Sequence, residues 1–239
     1  MSSLPQAMAK AFDILVSSDR EVLQIAWTTL GVSGASTLIA LALGLPLGVL
    51  LALRSFRGRG LLVVLVNTGM GLPPVVAGLL VAMLLWRSGP LGGLNLIYTP
   101  AAMVIAQVII ALPIVTGVSL AALQQVDPMV ALQARALGAS RGQALWVVLK
   151  EARLPMLAAV MAAFGSVISE VGAVLMVGGN LKGDTRMLTT AIVQETRMGR
   201  FEMALALAIL LLALSFAVNY ALTRIQQKGA EGIPFRCWR

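Results

Sequence analysis

Across the apolar stretches of this 239-residue chain only one side chain can carry a charge, Glu170. A charged side chain at the centre of a bilayer costs about 2.5–3.5 kcal/mol on insertion scales, so such an acid faces a protein interior or water. Two roles fit Glu170: a gate on a polar pathway, or a structural acid hydrogen-bonded to Ser166, Ser169 or backbone across helices. Uncharged polar side chains interrupt the same stretches at Asn67, Thr68, Thr116, Ser119, Ser166 and Ser169. Each can line a pathway or tie two helices together, since hydroxyls and amides hydrogen-bond between helices in lipid. Other chemistries fall away. The chain has no His and a single Cys, Cys237, which excludes a His-dependent triad, a Cys/His metal site and an intramolecular disulfide. The phosphate-loop pattern G-x-x-x-x-G-K-S/T is absent, so ATP cannot be held in that way.

The elements that carry these residues belong in a membrane. A soluble domain has about 25% charged residues. Here 12% are charged and 59% hydrophobic, with mean hydropathy +0.90. That balance excludes disorder, a disulfide scaffold and a soluble cytosolic enzyme. The net charge of +8 is spread between apolar blocks, which argues against a nucleic-acid surface. A helix needs roughly 20 apolar residues to cross about 30 Å of hydrocarbon. Residues 25–53, 61–86, 101–123, 156–177 and 203–222 meet that length, so the expected fold is an all-α polytopic bundle of about five transmembrane helices in one domain, 1–239. Pro73, Pro74 and Pro113 remove backbone donors and are expected to kink the second and third spans. Residues 1–21 carry Lys10, Asp13, Asp19, Arg20 and Glu21 and read as an interfacial flank rather than a cleaved leader. Sorting the 18 Lys and Arg by side gives eleven, including Arg54, Arg57, Arg59, Arg135, Arg141 and Lys150, against seven. The richer side is cytoplasmic by the positive-inside rule. The N-terminus is therefore expected outside and the C-terminus inside, with a cytoplasmic loop at 127–153 and an outer loop at 178–202.

The cytoplasmic loop has its own local code. Asp127 suits an N-cap, Pro128 the first helical position, and Gly138 the left-handed residue that ends a helix. Ser140 with Gln143 has the form of a capping box opening a second helix at Arg141. The spacing predicts a helix–turn–helix with Met129, Val130, Leu132, Ala136 and Leu137 on an apolar face. Such a face lies on lipid headgroups, packs on its own bundle or docks in a partner's groove.

The run Leu132-Gln133-Ala134-Arg135-Ala136-Leu137-Gly138-Ala139-Ser140 resembles the coupling loop of ATP-binding-cassette (ABC) importer permeases, E-A-A-x-x-x-G, matching at Ala134 and Gly138 and departing at Leu132 and Gln133. Lys150-Glu151 stands where that loop usually ends in Leu-Pro. The rest is similar to the molybdate/sulfate/tungstate group, and within it to the tungstate branch. The matching pieces include Gly71-Leu72-Pro73-Pro74-Val75-Val76-Ala77-Gly78, Ile168-Ser169-Glu170-Val171-Gly172-Ala173 and Thr189-Thr190-Ala191-Ile192. Where relatives often carry Arg four residues before this Glu, the chain has Ser166.

The resemblance implies a type I-like permease fold and a non-catalytic subunit of an oxyanion importer in the cell inner membrane. The cargo it implies is tungstate, with molybdate or sulfate as the alternative and an ATP-independent secondary transporter as the rival class. The implied partners are a second copy, two ATPase subunits that bind ATP and Mg, an extracytoplasmic binding protein and the bilayer. Leu132, Gln133, Ala134, Ala136, Leu137, Gly138, Ala139 and Ser140 would form the ATPase contact. Asn67, Thr68, Thr116, Ser119, Ser166, Ser169 and Glu170 would be the candidates for pathway or gate. Direct ligation of a dianion by Glu170 is disfavoured by like charge. The outer loop carries Asn180, Lys182, Asp184 and Arg186, and its apolar piece Thr189 to Val193 is expected to dip toward the protein.

Overall fold

The computed structural model describes residues 20–230. The flank 1–21 thus lies almost wholly outside the described residues, as does the tail Arg236-Cys237-Trp238-Arg239, for which no role is derived. The described residues form helices and no strand: α1 (Arg20–Leu53), α2 (Arg59–Met70), α3 (Pro74–Leu85), α4 (Pro100–Gln124), α5 (Pro128–Ala136), α6 (Arg141–Glu151), α7 (Arg153–Ile168), α8 (Gly172–Gly178), α9 (Leu188–Arg197) and α10 (Phe201–Ala230). At 1.5 Å per residue, the 34 residues of α1 extend about 51 Å, well beyond one hydrocarbon thickness.

By length and composition α1, α4 and α10 can each cross a membrane, and two bent pairs bring the number of candidate spans to five. Here the structure adds sharp bends inside two of the expected stretches. The stretch 61–86 is not one rod but α2 and α3, set at 104° across Gly71–Pro73. The stretch 156–177 is α7 and α8, bent by 56° across Ser169–Val171. Pro73 and Pro74 do more than kink: Pro73 is the N-cap of α3 and Pro74 its first residue, where a missing N–H costs no helical bond. Pro113, by contrast, sits inside an α4 that runs on without interruption.

Packing divides the chain into two compact units. One comprises residues 20–39, Leu72–Ala111 and Phe164–Ala217. Its core is built from Val81 and Leu85 of α3, Met103 and Ile110 of α4, Val174 and Val177 of α8, and Met187. Helices α3 and α8 approach closely there: a Cβ at Gly78 would stand 2.5 Å from Ala173 Cα. In lipid no hydrophobic force drives helices together, so small residues that let backbones touch do much of the work. Buried hydroxyls of α1 turn back on their own helix, Thr29 donating to Ile25 C=O, Ser36 to Val32 C=O and Thr37 to Ser33 C=O, each at 2.7 Å.

The other unit comprises Ala40–Gly71, Leu112–Ala163 and residues 218–230. Its core is Leu123, Val148 and Ala152, flanked by Val49, Ala52, Ala131 and Met156. Gly44 and Gly48, a G-x-x-x-G pair on α1, meet α4: added Cβ atoms would lie 2.8 Å from Val115 Cγ1 and 2.8 Å from Ser119 Cβ.

Because the α3–α8 contact is backbone against backbone, Gly78→Val is expected to force the two helices apart and lower stability by about 1–3 kcal/mol or more. Gly31→Ala, at a helical site with nothing within 4 Å, is expected to be neutral or stabilising. Thermal unfolding of the purified chain in detergent, followed by size-exclusion chromatography, checks both.

Candidate functional site

The first candidate site is the turn between α5 and α6. Asp127 caps α5, its Oδ1 accepting the Met129 N–H at 2.8 Å, with Pro128 next in line. The helix stops because Gly138 takes φ 91°, a left-handed value that a Cβ penalises by about 1–2 kcal/mol. The Gly138 N–H donates to Arg135 C=O and the Ala139 N–H to Ala134 C=O, both at 3.0 Å, which together close a Schellman end. Ser140 then opens α6: its Oγ accepts from Gln143 N–H at 3.3 Å, and Gln143 Oε1 accepts from Ser140 N–H at 2.8 Å. The turn is thus held on both sides by its own hydrogen bonds.

It is also open. No residue of α5 is buried, Leu132 is 59% exposed and Leu137 90%. Gln133, Ala134, Leu137, Gly138 and Ala139 line one side of an open cleft of about 860 Å³, and Trp146, 68% exposed, lines it from α6. Of the eight expected contact residues, five line this cleft, while Leu132, Ala136 and Ser140 do not. Trp146 is an addition. Its signal was an exposed aromatic one turn past the capping box.

The second candidate is the break between α7 and α8. When a helix breaks in apolar surroundings its freed backbone groups need partners. Three side chains supply them. Gln107 Nε2 donates to Val167 C=O at 2.9 Å, Thr189 Oγ1 donates to Glu170 C=O at 2.9 Å, and Glu170 Oε1 accepts the Ala173 N–H at 2.9 Å. Gln107 is completely buried, and its Oε1 lies 2.9 Å from Ser36 Oγ, whose single proton it shares with Val32 C=O. Glu170 is 7% exposed. The acid therefore serves the start of α8, where a carboxylate complements free N–H groups. Of the partners expected for Glu170 it is backbone that meets the acid, at the Ala173 N–H, while Ser169 donates to Gly165 C=O at 2.7 Å, with Ser166 C=O 3.2 Å away.

The remaining pathway candidates are spread out. Asn67 and Thr68 are exposed on α2, which buries none of its residues. Thr116 and Ser119 are buried in the α1–α4 contact opposite Gly44 and Gly48. Thr116 donates to Leu112 C=O at 2.8 Å, and Ser119 Oγ is buried without a hydrogen-bond partner. These four belong to one unit; Ser166, Ser169 and Glu170 belong to the other. Two features escaped the sequence reading. Gln107 was a lone amide in an apolar span, and the Gly44/Gly48 spacing was visible on α1.

In the loop 178–202, α9 buries Leu188, Thr189, Thr190 and Ala191. Thr29 Oγ1 accepts the Leu188 N–H at 2.9 Å, and Thr190 Oγ1 accepts from Met187 N–H at 3.0 Å. Glu21 holds Lys182 at 2.6 Å and Arg186 at 3.3 Å, and Arg200 pairs with Glu195 at 2.9 Å. The segment Thr189 to Val193 is thus anchored in its unit rather than solvated.

Known proteins share this arrangement. A tungstate uptake system permease protein, TupB, of Peptoclostridium acidaminophilum is 36% identical over 228 residues, 95% of this chain and 100% of that protein. A probable anion ABC transporter permease of Haloferax volcanii is 43% identical over 203 residues, 83% of this chain and 88% of that one. Among solved structures, the inward-facing methionine ABC transporter MetNI superposes with TM-score 0.70 at 20% identity, over 87% of this chain and 95% of its own. At that identity the likeness speaks for fold: the type I ABC importer permease fold. Residues 44–229 match the family described as binding-protein-dependent transport system inner membrane component, which takes in both broken spans and the capped α5–α6 turn, and the chain belongs to that family of ABC permeases.

Proposed function

We propose that this chain is the membrane-spanning subunit of an ATP-driven importer that moves an oxyanion, tungstate, received from an extracytoplasmic binding protein. One observation carries the cargo: the likeness to a tungstate uptake permease runs along 95% of this chain and 100% of that protein. Molybdate and sulfate are the alternative cargoes, being tetrahedral dianions of the same charge.

In this reading two copies of the chain form the path, and two ATPase subunits, which bind ATP and Mg, supply the force. The α5–α6 turn enters an ATPase groove, Leu132, Ala136 and Leu137 leading and Gln133, Ala134, Gly138, Ala139 and Ser140 flanking. The side richer in Lys and Arg is cytoplasmic, which puts the N-terminus outside and the C-terminus inside. A dianion passes most easily along hydroxyls and amides, because a deep cationic site would hold it. Asn67, Thr68, Ser166 and Ser169 suit that role. Thr116 and Ser119 serve the α1–α4 contact, and Glu170 shapes the gate by capping α8.

Reconstitution tests this. Tungstate uptake into proteoliposomes is expected to require this chain, its ATPase, the binding protein and ATP together. Uptake driven by an ion gradient without the ATPase would instead establish a secondary transporter.

Leu132→Asp puts a charge into an apolar contact and Gly138→Asp adds charge at a left-handed turn. Each is expected to cut co-purification with the ATPase about tenfold or more. Gly138→Asn, which tolerates the backbone and adds no charge, is expected to keep most of it. Glu170→Gln retains an acceptor for the Ala173 N–H and is expected to keep uptake within about threefold, whereas Glu170→Ala loses a cap worth about 0.5–2 kcal/mol and most of the uptake. Loss in Glu170→Gln as deep as in Glu170→Ala would mean that the charge itself works in the pathway.

A further inference from the structure

An amide in the middle of an apolar helix is costly unless both its ends are used. Gln107 lies in α4 with no exposed surface, and both ends are used by other elements. Its Nε2 donates to Val167 C=O and its Oε1 accepts from Ser36 Oγ, each at 2.9 Å. The acceptor it takes on α7 is not an ordinary helical carbonyl. Helix α7 ends at Ile168, so Val171, the residue four positions past Val167, is already outside the helix. The Glu170 N–H reaches Val167 C=O only at 3.3 Å. Gln107 therefore grips the last turn of α7 at the point where the span bends by 56°.

Helix α4 also leads to the α5–α6 turn. It runs from Pro100 to Gln124, and α5 begins at Pro128. A displacement applied at α5 reaches α4 through the chain itself. Whether it reaches the elbow between α7 and α8 depends on what joins α4 to that elbow, and the bond from Gln107 to Val167 is a directed polar tie at that place.

We propose that Gln107 is a positioning residue for transport: it fixes α4 to the elbow between α7 and α8, so that force entering at the coupling turn moves the elbow with α4 rather than past it. The inference rests on the importer reading given above, because it takes the α5–α6 turn as the point where force enters. A merely structural Gln107 would contribute stability and nothing else.

The test uses the whole transporter, this chain with its ATPase and binding protein, in nanodiscs and proteoliposomes. Gln107→Met keeps length and volume and deletes both bonds. It is expected to assemble with the ATPase at the wild-type level. Hydrogen–deuterium exchange of the backbone at residues 168–173 is expected to speed up about tenfold, and tungstate moved per ATP hydrolysed to fall about tenfold, as loss of one buried partner can produce. Ser36→Ala removes only the α1 arm and is expected to leave both readouts within about twofold. Gln107→Glu can donate to Val167 only as the neutral acid, so its transport per ATP is expected to recover as pH is lowered, a response that a packing defect does not have. Should Gln107→Met fail to assemble, Gln107→Glu read across pH carries the test. Wild-type exchange at 168–173 in Gln107→Met, wild-type transport per ATP in that variant, or a Gln107→Glu protein indifferent to pH would each overturn the proposal. Exchange does not depend on cargo: a wild-type assembly that moves no tungstate would overturn the functional reading, while exchange at the elbow would still decide the role of Gln107.

Discussion

Apolar surroundings leave a broken helix nowhere to put its backbone groups, and the elbow at Ser169–Val171 is organised by that constraint. Hydrocarbon offers nothing that can take over an unpaired carbonyl or N–H. Three of the groups at the bend are met by side chains: Val167 C=O by Gln107, Glu170 C=O by Thr189, Ala173 N–H by Glu170. Those side chains come from α4, α9 and the elbow itself, so three separate stretches of chain are committed to one bend. The charged residue that read as a gate or a structural acid has a backbone partner of its own in the Ala173 N–H. A carboxylate at the start of a helix is where the helix field favours it.

The second break works differently. At Gly71–Pro73 the chain turns through 104° and no polar side chain is needed to begin α3, because Pro74 brings no N–H to satisfy. The two second halves, α3 and α8, then lie against each other through Gly78 and Ala173, with Gly172 set close to Val75. Small residues at those positions let two short helices do together what neither is long enough to do alone.

How much of this was legible in the sequence follows from range. The α5–α6 turn was fully legible, since Asp127, Pro128, Gly138, Ser140 and Gln143 act on neighbours within five residues. The membrane class and the number of apolar stretches were legible from hydropathy, which needs no contacts. The bend at Gly71–Pro73 was legible as a kink at Pro73 and Pro74, whereas the one at Ser169–Val171 was not, because hydropathy averages over a bend. Gln107 was passed over for a related reason: its partner at Val167 is 60 residues away and exists as a partner only because α7 stops there. For Thr116 and Ser119 the sequence left pathway and helix–helix contact both open, and choosing between them needs the contact with Gly44 and Gly48, 68 or more residues away.

The α5–α6 turn is stiffened from both sides by its own hydrogen bonds. Flexible loops yield under load because their backbone bonds go to water, but here both flanks are closed by caps of their own, the Schellman end on α5 and the capping box on α6. Behind them stands the small core of Leu123, Val148 and Ala152, which joins the end of α4 to the end of α6 and receives Ala131 of α5 and Met156 of α7. With Val49 and Ala52 of α1, five helices meet there within a few side chains, and only Ala152 separates α6 from α7. A force on the exposed Leu132 and Leu137 therefore has short, packed routes into α4 and α7, and no slack segment in which to be lost.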